Sequence, residues 1–292
     1  MNLIYKTLVI ILSISLLSMT SDKSPYQLFN KSGKKVSFEK MIKEISDADI
    51  VFFGELHNNA LSHWMEFEIA KSLYFVKKEK LIIGAEMFEA DQQLLIDEYI
   101  NGIIEKKYFE DQARLWDNHK TDYAPVIDFA QEQKIRFIAT NIPRRYAAYV
   151  NKHSLQALDS LPDEAKKYIA ELPVKYDPEV ACYKQMSEMM AGMPGARHKK
   201  SYIAEAQAIK DATMAHFILN NLKSGDLFFH FNGSYHSDNY EGIVWWIKQT
   251  NPELKIVTIS TTEVSDIDSI SEADIKKADF ILQTDEDFTK TY

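Results

Sequence analysis

The chain has 292 residues, 46% of them hydrophobic, enough to bury a large core as one α/β domain with a helical elaboration. A net charge of −9, with only short, scattered basic clusters such as Lys34-Lys35 and Lys199-Lys200, argues against nucleic acid as a partner, which would show as a basic stripe or patch. The single cysteine, Cys182, excludes an intramolecular disulfide and a cysteine-based structural zinc site.

In chain order, Lys6 precedes an apolar core from Leu8 to Leu17, and Ser18-Met19-Thr20 supplies small residues at cleavage positions. Residues 1–20 therefore read as an export signal, with a short uncleaved anchor as the alternative. The core is too short to read as a spanning helix. Cys182 lies far from it, so no lipobox cysteine follows the core, and residues 21–292 are expected outside the cytoplasm as a periplasmic or cell-envelope domain.

Short apolar runs, most of them rich in β-branched or aromatic residues, recur at Ile50 to Phe53, Leu81 to Ala85, Ile135 to Ala139, Leu227 to Phe231, Leu254 to Ile259 and Phe280 to Gln283. They predict buried parallel strands. Between them, helical spacing runs through Leu61 to Phe75, Gln92 to Ile100, Tyr123 to Gln133, Tyr202 to Leu222 and Tyr240 to Gln249. The alternation predicts an α/β fold, a mostly parallel sheet flanked by helices. Residues 141–200 break the rhythm, with no strand pattern and prolines at 143, 162, 173, 178 and 194, and are expected to form a helical insertion, a lid or subdomain.

Two strings, Gly54-Glu55-Leu56-His57 and Gly233-Ser234-Tyr235-His236, each follow an apolar run and place a histidine three residues after a glycine. Ligands of α/β proteins gather where strands end, so the two imidazoles suggest one shared pocket, for a metal or a haem. Glu55 and His57, two apart, share a side in extended chain; Glu55 could equally accept backbone N–H groups of the following helix. Glu86 emerges from the second run at the same edge, where a buried carboxylate needs a cation, a metal or several donors; Arg144 or Arg145 could satisfy it as a salt bridge. Asn141 occupies the matching position after the third run, as a substrate-facing or a capping group.

On the Tyr202 helix, Gln207, Asp211 and Met214 share a stripe leading to Ile218, so two polar groups either line the pocket floor, orient a histidine or face solvent. Met186, Met189, Met190, Met193 and His198 crowd one stretch of the insertion, either as soft ligands and an adaptable apolar surface or as helix packing before a Gly-Pro turn. His63, His119, His153, His216, His230 and Trp245-Trp246 show no ligand spacing and are expected to pack or face solvent. The serine-nucleophile elbow, the Walker loop and the dinucleotide fingerprint are absent.

Four strings in order resemble the ChaN-like haem-binding proteins, within a superfamily that includes Tiki proteases, TraB-type proteins and erythromycin esterases: Gly54-Glu55-Leu56-His57-Asn58-Asn59, Glu86 through Gln93, Ala206-Gln207 with Lys210 through Ala215, and Asn232-Gly233 with His236. The resemblance implies an exported α/β protein of haem or iron uptake. The family is commonly lipid-anchored, which the missing cysteine puts in doubt here. The last string departs from the usual Gly-Asn-Gly-His; Ser234-Tyr235 before His236 instead resembles the Gly-x-x-His pair of Tiki-type proteases.

Two functions follow. In the binding reading, His57, Asn141, Gln207, Asp211, Met193, His198 and Tyr235 surround haem, with a tyrosine, histidine or methionine on the iron, a homodimer sharing the site and outer-membrane haem-uptake components as partners. In the hydrolase reading, Glu55, His57, Glu86 and His236 are catalytic: His57, Glu86 and His236 hold Mn²⁺, Co²⁺ or Zn²⁺, and Glu55 is the general base.

Overall fold

The computed structural model describes residues 24–192 and 201–292. Seven strands form one sheet: β1 (Tyr26–Asn30), β2 (Ile50–Glu55), β3 (Leu81–Glu89), β4 (Arg136–Asn141), β5 (Leu227–Gly233), β6 (Ile256–Val264) and β7 (Phe280–Asp285), in the order β1-β7-β6-β2-β5-β3-β4. All pairs are parallel except β1 with β7. The α/β fold with a mostly parallel sheet flanked by helices is therefore as expected.

Every residue of β2, β3 and β5 is buried, which is why these strands read as unbroken apolar runs. The period-2 alternation of a strand divides them between two cores. Val51, Phe53, Ile83, Phe229 and Phe231 face a layer made by α1 (Phe38–Ile45), α2 (Ala60–Lys77), α3 (Gln93–Ile100), α4 (Lys106–Gln112) and α5 (Ala124–Gln133). Ile50, Phe52, Ile82 and Phe228 face the opposite layer.

Residues 141–192 are helical, with α6 (Arg144–His153), the single turn α7 (Asp163–Lys166) and α8 (Ala181–Ala191). This segment leans on α9 (Ile203–Asn221): Ile142, Ala147 and Val150 pack with Ala206, Ile209 and Ala212. The other face of α9 sends Met214 and Ile218 under the sheet beside α10 (Ile243–Thr250). A further turn, α11 (Glu272–Ile275), precedes β7.

Several expectations need correction. β1 and α1 have no counterpart in the predicted elements. β3 runs four residues beyond Ala85, to Glu89, through a register irregularity against β4. β6 begins at Ile256 rather than Leu254 and continues to Val264. Residues 1–20, Met193 and His198 lie outside the described residues. Among the described residues no helix is long and apolar enough to cross a membrane.

Candidate functional site

The parallel register stacks the strand ends: Glu55 of β2 is level with Gly233 of β5, and Asn141 of β4 pairs with Glu89 of β3. Loops leaving this carboxyl edge carry His57 and His236, so both Gly-x-x-His strings deliver their rings to one place. Gly233 sits between them. A Cβ there would lie 2.7 Å from His57 Nε2 and 3.5 Å from Glu86 Oε2, so the strand end accepts no side chain without moving the imidazole. Gly242 is required for two reasons, a φ of +53° and a Cβ position 2.3 Å from the His236 carbonyl oxygen.

His236 is held on both sides. Its Nε2 is 3.2 Å from Glu86 Oε1, its Nδ1 bonds Asp211 Oδ1, and the Gln207 amide lies 3.1 Å from each ring nitrogen. Glu86 takes the Gly233 N–H at 2.8 Å with its other oxygen, and Asp211 takes the Tyr183 hydroxyl at 2.7 Å, which accepts in turn from Trp246 Nε1 at 2.8 Å. Burial alone would discharge the ring, but the two flanking carboxylates push His236 up to about 10. Burial likewise works against ionised Glu86, yet His236 and His57 bring it down to about 2. For Asp211 burial prevails over the histidine, and its pKa is raised.

His57 is placed differently. Its Nδ1 is 2.6 Å from Glu55 Oε1, and 35% of its side chain is exposed, against 6% for His236. Desolvation favours the neutral ring, but the Glu55 hydrogen bond and charge outweigh it and raise the pKa. Trp116 packs edge-on against the ring, with centroids 4.9 Å apart. Glu55 also accepts the Tyr123 hydroxyl at 2.8 Å. Burial opposes its charge, while hydrogen bonds from Glu66, His57 and His63 hold it well below the carboxylate range.

An open cleft of about 680 Å³ lies over this edge. His57, Glu86, Asn141 and His236 reach it from the strand ends, Leu115, Trp116 and Ile142 supply apolar wall, and Arg144 and Lys210 bring positive charge. The volume is that of an ordinary small-molecule site. Asn141 donates to the Glu86 carbonyl at 2.9 Å and leaves its own Oδ1 buried without a partner. Arg144 pairs with Glu89, not with Glu86, and Glu89 also accepts from Arg114 Nε at 3.0 Å.

Of the residues singled out in the sequence, His57, Glu86, Asn141 and His236 line the cleft; Gln207 and Asp211 sit behind it on the His236 ring. Glu55 is buried beneath His57 and is not part of the lining. Tyr235 points away, its hydroxyl donating to the Cys182 carbonyl at 2.5 Å, and Met186, Met189 and Met190 do not line the cleft. His63, expected to pack or face solvent, belongs instead to a buried polar cluster with Glu55 and Glu66, where those carboxylates lift it to about 11 despite burial. Trp116, Tyr123, Glu66 and Lys210 were not singled out as site residues; the one signal was the i, i+3 spacing of His63 and Glu66 on a helix following the first Gly-x-x-His string.

The backbone is similar to that of a ChaN of Campylobacter jejuni solved in a study of cofacial haem binding to that protein, with 19% identity, 89% of this chain and 97% of the other covered, and a TM-score of 0.68. Lower similarities reach a succinoglycan biosynthesis protein (13% identity, 94% and 97% covered, TM-score 0.48) and a Bacillus cereus protein (13% identity, 89% and 94% covered, TM-score 0.47). No curated protein sequence matches the chain. The family described as haem-binding uptake, Tiki superfamily, ChaN, matches residues 41–247, which include both Gly-x-x-His strings, and the chain belongs to that family.

Proposed function

We propose that the chain is an exported haem-binding protein of haem and iron uptake, with the cleft over His57 as the seat of the haem. The observation that carries this reading is the state of the two imidazoles. His236 has both nitrogens committed to carboxylates, whereas His57 has one nitrogen on Glu55 and a third of its side chain exposed at the cleft. A ring fixed through Nδ1 in this way is oriented for a ligand on its other nitrogen.

The cleft suits a haem in its chemistry. Trp116, Leu115 and Ile142 would hold the porphyrin face, Lys210 and Arg144 suit propionates, and bare Gly233 keeps the His57 ring in place. Haem, when bound, would supply an iron that accepts a nitrogen, oxygen or sulfur donor. Membership of a family described by haem-binding uptake supports the same ligand. The hydrolase alternative requires Glu55 to act on a water in the cleft, and Glu55 is 1% exposed behind His57, so the placement favours binding.

Titrating the full chain with haem while following the Soret band tests this, with His57→Ala alongside. Saturable binding that weakens at least about tenfold in the variant is expected, which corresponds to about 1.4 kcal/mol. Export is tested separately by fractionating cells that express the full chain and a form lacking residues 1–20.

A further inference from the structure

Glu55, His63 and Glu66, none of which lines the cleft, bring one ligand atom each to within 4.8 Å of the others. His63 Nδ1 is 3.4 Å from Glu55 Oε2 and 3.4 Å from Glu66 Oε2. Those separations are long for hydrogen bonds, whose N···O distance centres on about 2.9–3.0 Å. They match a tetrahedral zinc site, where bonds of about 2.0–2.1 Å set ligand atoms about 3.3 Å apart.

The proton inventory points the same way. His63 Nε2 is 3.1 Å from the His57 carbonyl oxygen and 3.3 Å from Asp122 Oδ2, two acceptors that place the ring proton on that nitrogen. With a cation bound, that proton stays on Nε2 and Nδ1 is free to ligate. Without one, the ring takes a second proton on Nδ1 and answers two carboxylates with a single positive charge. Apart from a proton shared between the two carboxyl groups themselves, Glu55 Oε2 and Glu66 Oε1 have no hydrogen-bond partner, and their residues are 1% and 0% exposed. Ionised carboxylates so far from water cost several kcal/mol each unless paired or bound to metal. A carboxylate accepting from the far nitrogen is also the usual outer partner of a metal-bound histidine.

We propose that Glu55, His63 and Glu66 hold a divalent ion of the zinc type, a structural metal site distinct from the cleft. Nδ1 of His63, Oε2 of Glu55 and one oxygen of Glu66 each give one bond, and the fourth corner of the tetrahedron is left to a further donor. The ion neutralises both carboxylates and pins Glu55, whose other oxygen receives His57 Nδ1–H. It thereby fixes the angle at which His57 meets the cleft. The site stands whether or not the cleft takes haem.

The test uses the haem-free full chain, its metal content measured by mass spectrometry and its visible spectrum recorded after refolding with Co²⁺. About one zinc per chain and tetrahedral cobalt bands are expected. Glu66→Gln and His63→Gln, checked for folding by circular dichroism, lose the metal at least about tenfold more readily. Lys210→Gln, which alters the cleft and breaks no buried ion pair, retains it. A wild-type chain that takes up neither Zn²⁺ nor Co²⁺ overturns the proposal, and so does metal that persists in both folded cluster variants or leaves with Lys210→Gln.

Discussion

Glu86 Oε1 and His236 Nε2 stand 3.2 Å apart at the carboxyl edge of the sheet, and Asp211 closes the other side of the same ring. A histidine bonded at both nitrogens and 6% exposed is a brace between β3, β5 and α9; the partly exposed His57 is the ring left for a ligand. The two Gly-x-x-His strings thus deliver rings of opposite character.

Removing the brace strands two buried carboxylates. His236→Ala is expected to lower unfolding stability by about 3–5 kcal/mol, the usual loss when a buried ion pair is broken from one side. Urea denaturation measures it, and a loss below about 1 kcal/mol would show that the ring does not hold Glu86 and Asp211.

The same pair sets a pH window. With His236 raised to about 10 from the ordinary 6.5, its contribution is complete below 6.5 and disappears as pH climbs toward 10. Glu86, lowered to about 2 from 4.5, contributes above 4.5 and is lost as pH falls toward 2. Chemical denaturation midpoints across pH should therefore fall on both flanks, by an amount on the order of a few kcal/mol. In His236→Ala the alkaline fall should shrink to the part that His63, lifted to about 11, and His57 contribute; an undiminished fall would assign it to those groups alone.

Gly233→Ala places a methyl 2.7 Å from His57 Nε2 and 2.8 Å from Cε1. The imidazole has to swing away, so haem affinity should drop by about tenfold or more, equivalent to about 1.4 kcal/mol. Titration by Soret absorbance checks this. Unchanged affinity in a folded variant would mean that His57 does not face the ligand.

Lys210 is a cleft-lining cation whose charge also acts on Glu86. Lys210→Gln should weaken haem by about 1 kcal/mol, roughly fivefold, and leave the dimethyl ester of haem unaffected, since the ester carries no propionate charge. Equal weakening of both ligands would contradict a propionate contact.

The fold was legible where burial on both faces writes an unbroken apolar run, as in Ile50 to Phe53 and Leu227 to Phe231. It was not legible at β1, where Tyr26–Asn30 is a five-residue edge strand with only Leu28 and Phe29 buried. The strand ends gave away His57, Glu86 and His236 because a glycine or carboxylate after an apolar run has a fixed address. Glu66 and His63 stayed hidden because α2 is buried on several sides, with His63, Met65, Glu66 and Ile69 all inside, so no amphipathic stripe marks them. Arg144 or Arg145 was the alternative partner for Glu86; Arg144 reaches Glu89 instead, because β3 runs on past Ala85.

The most direct test of the cleft assignment is the Soret titration of the full chain beside His57→Ala and Trp116→Ala. Saturable haem binding by the wild type, weakened by at least about tenfold in His57→Ala and less in Trp116→Ala, is the predicted result. Absence of saturable binding, or equal affinity in all three proteins, would contradict haem seated over His57.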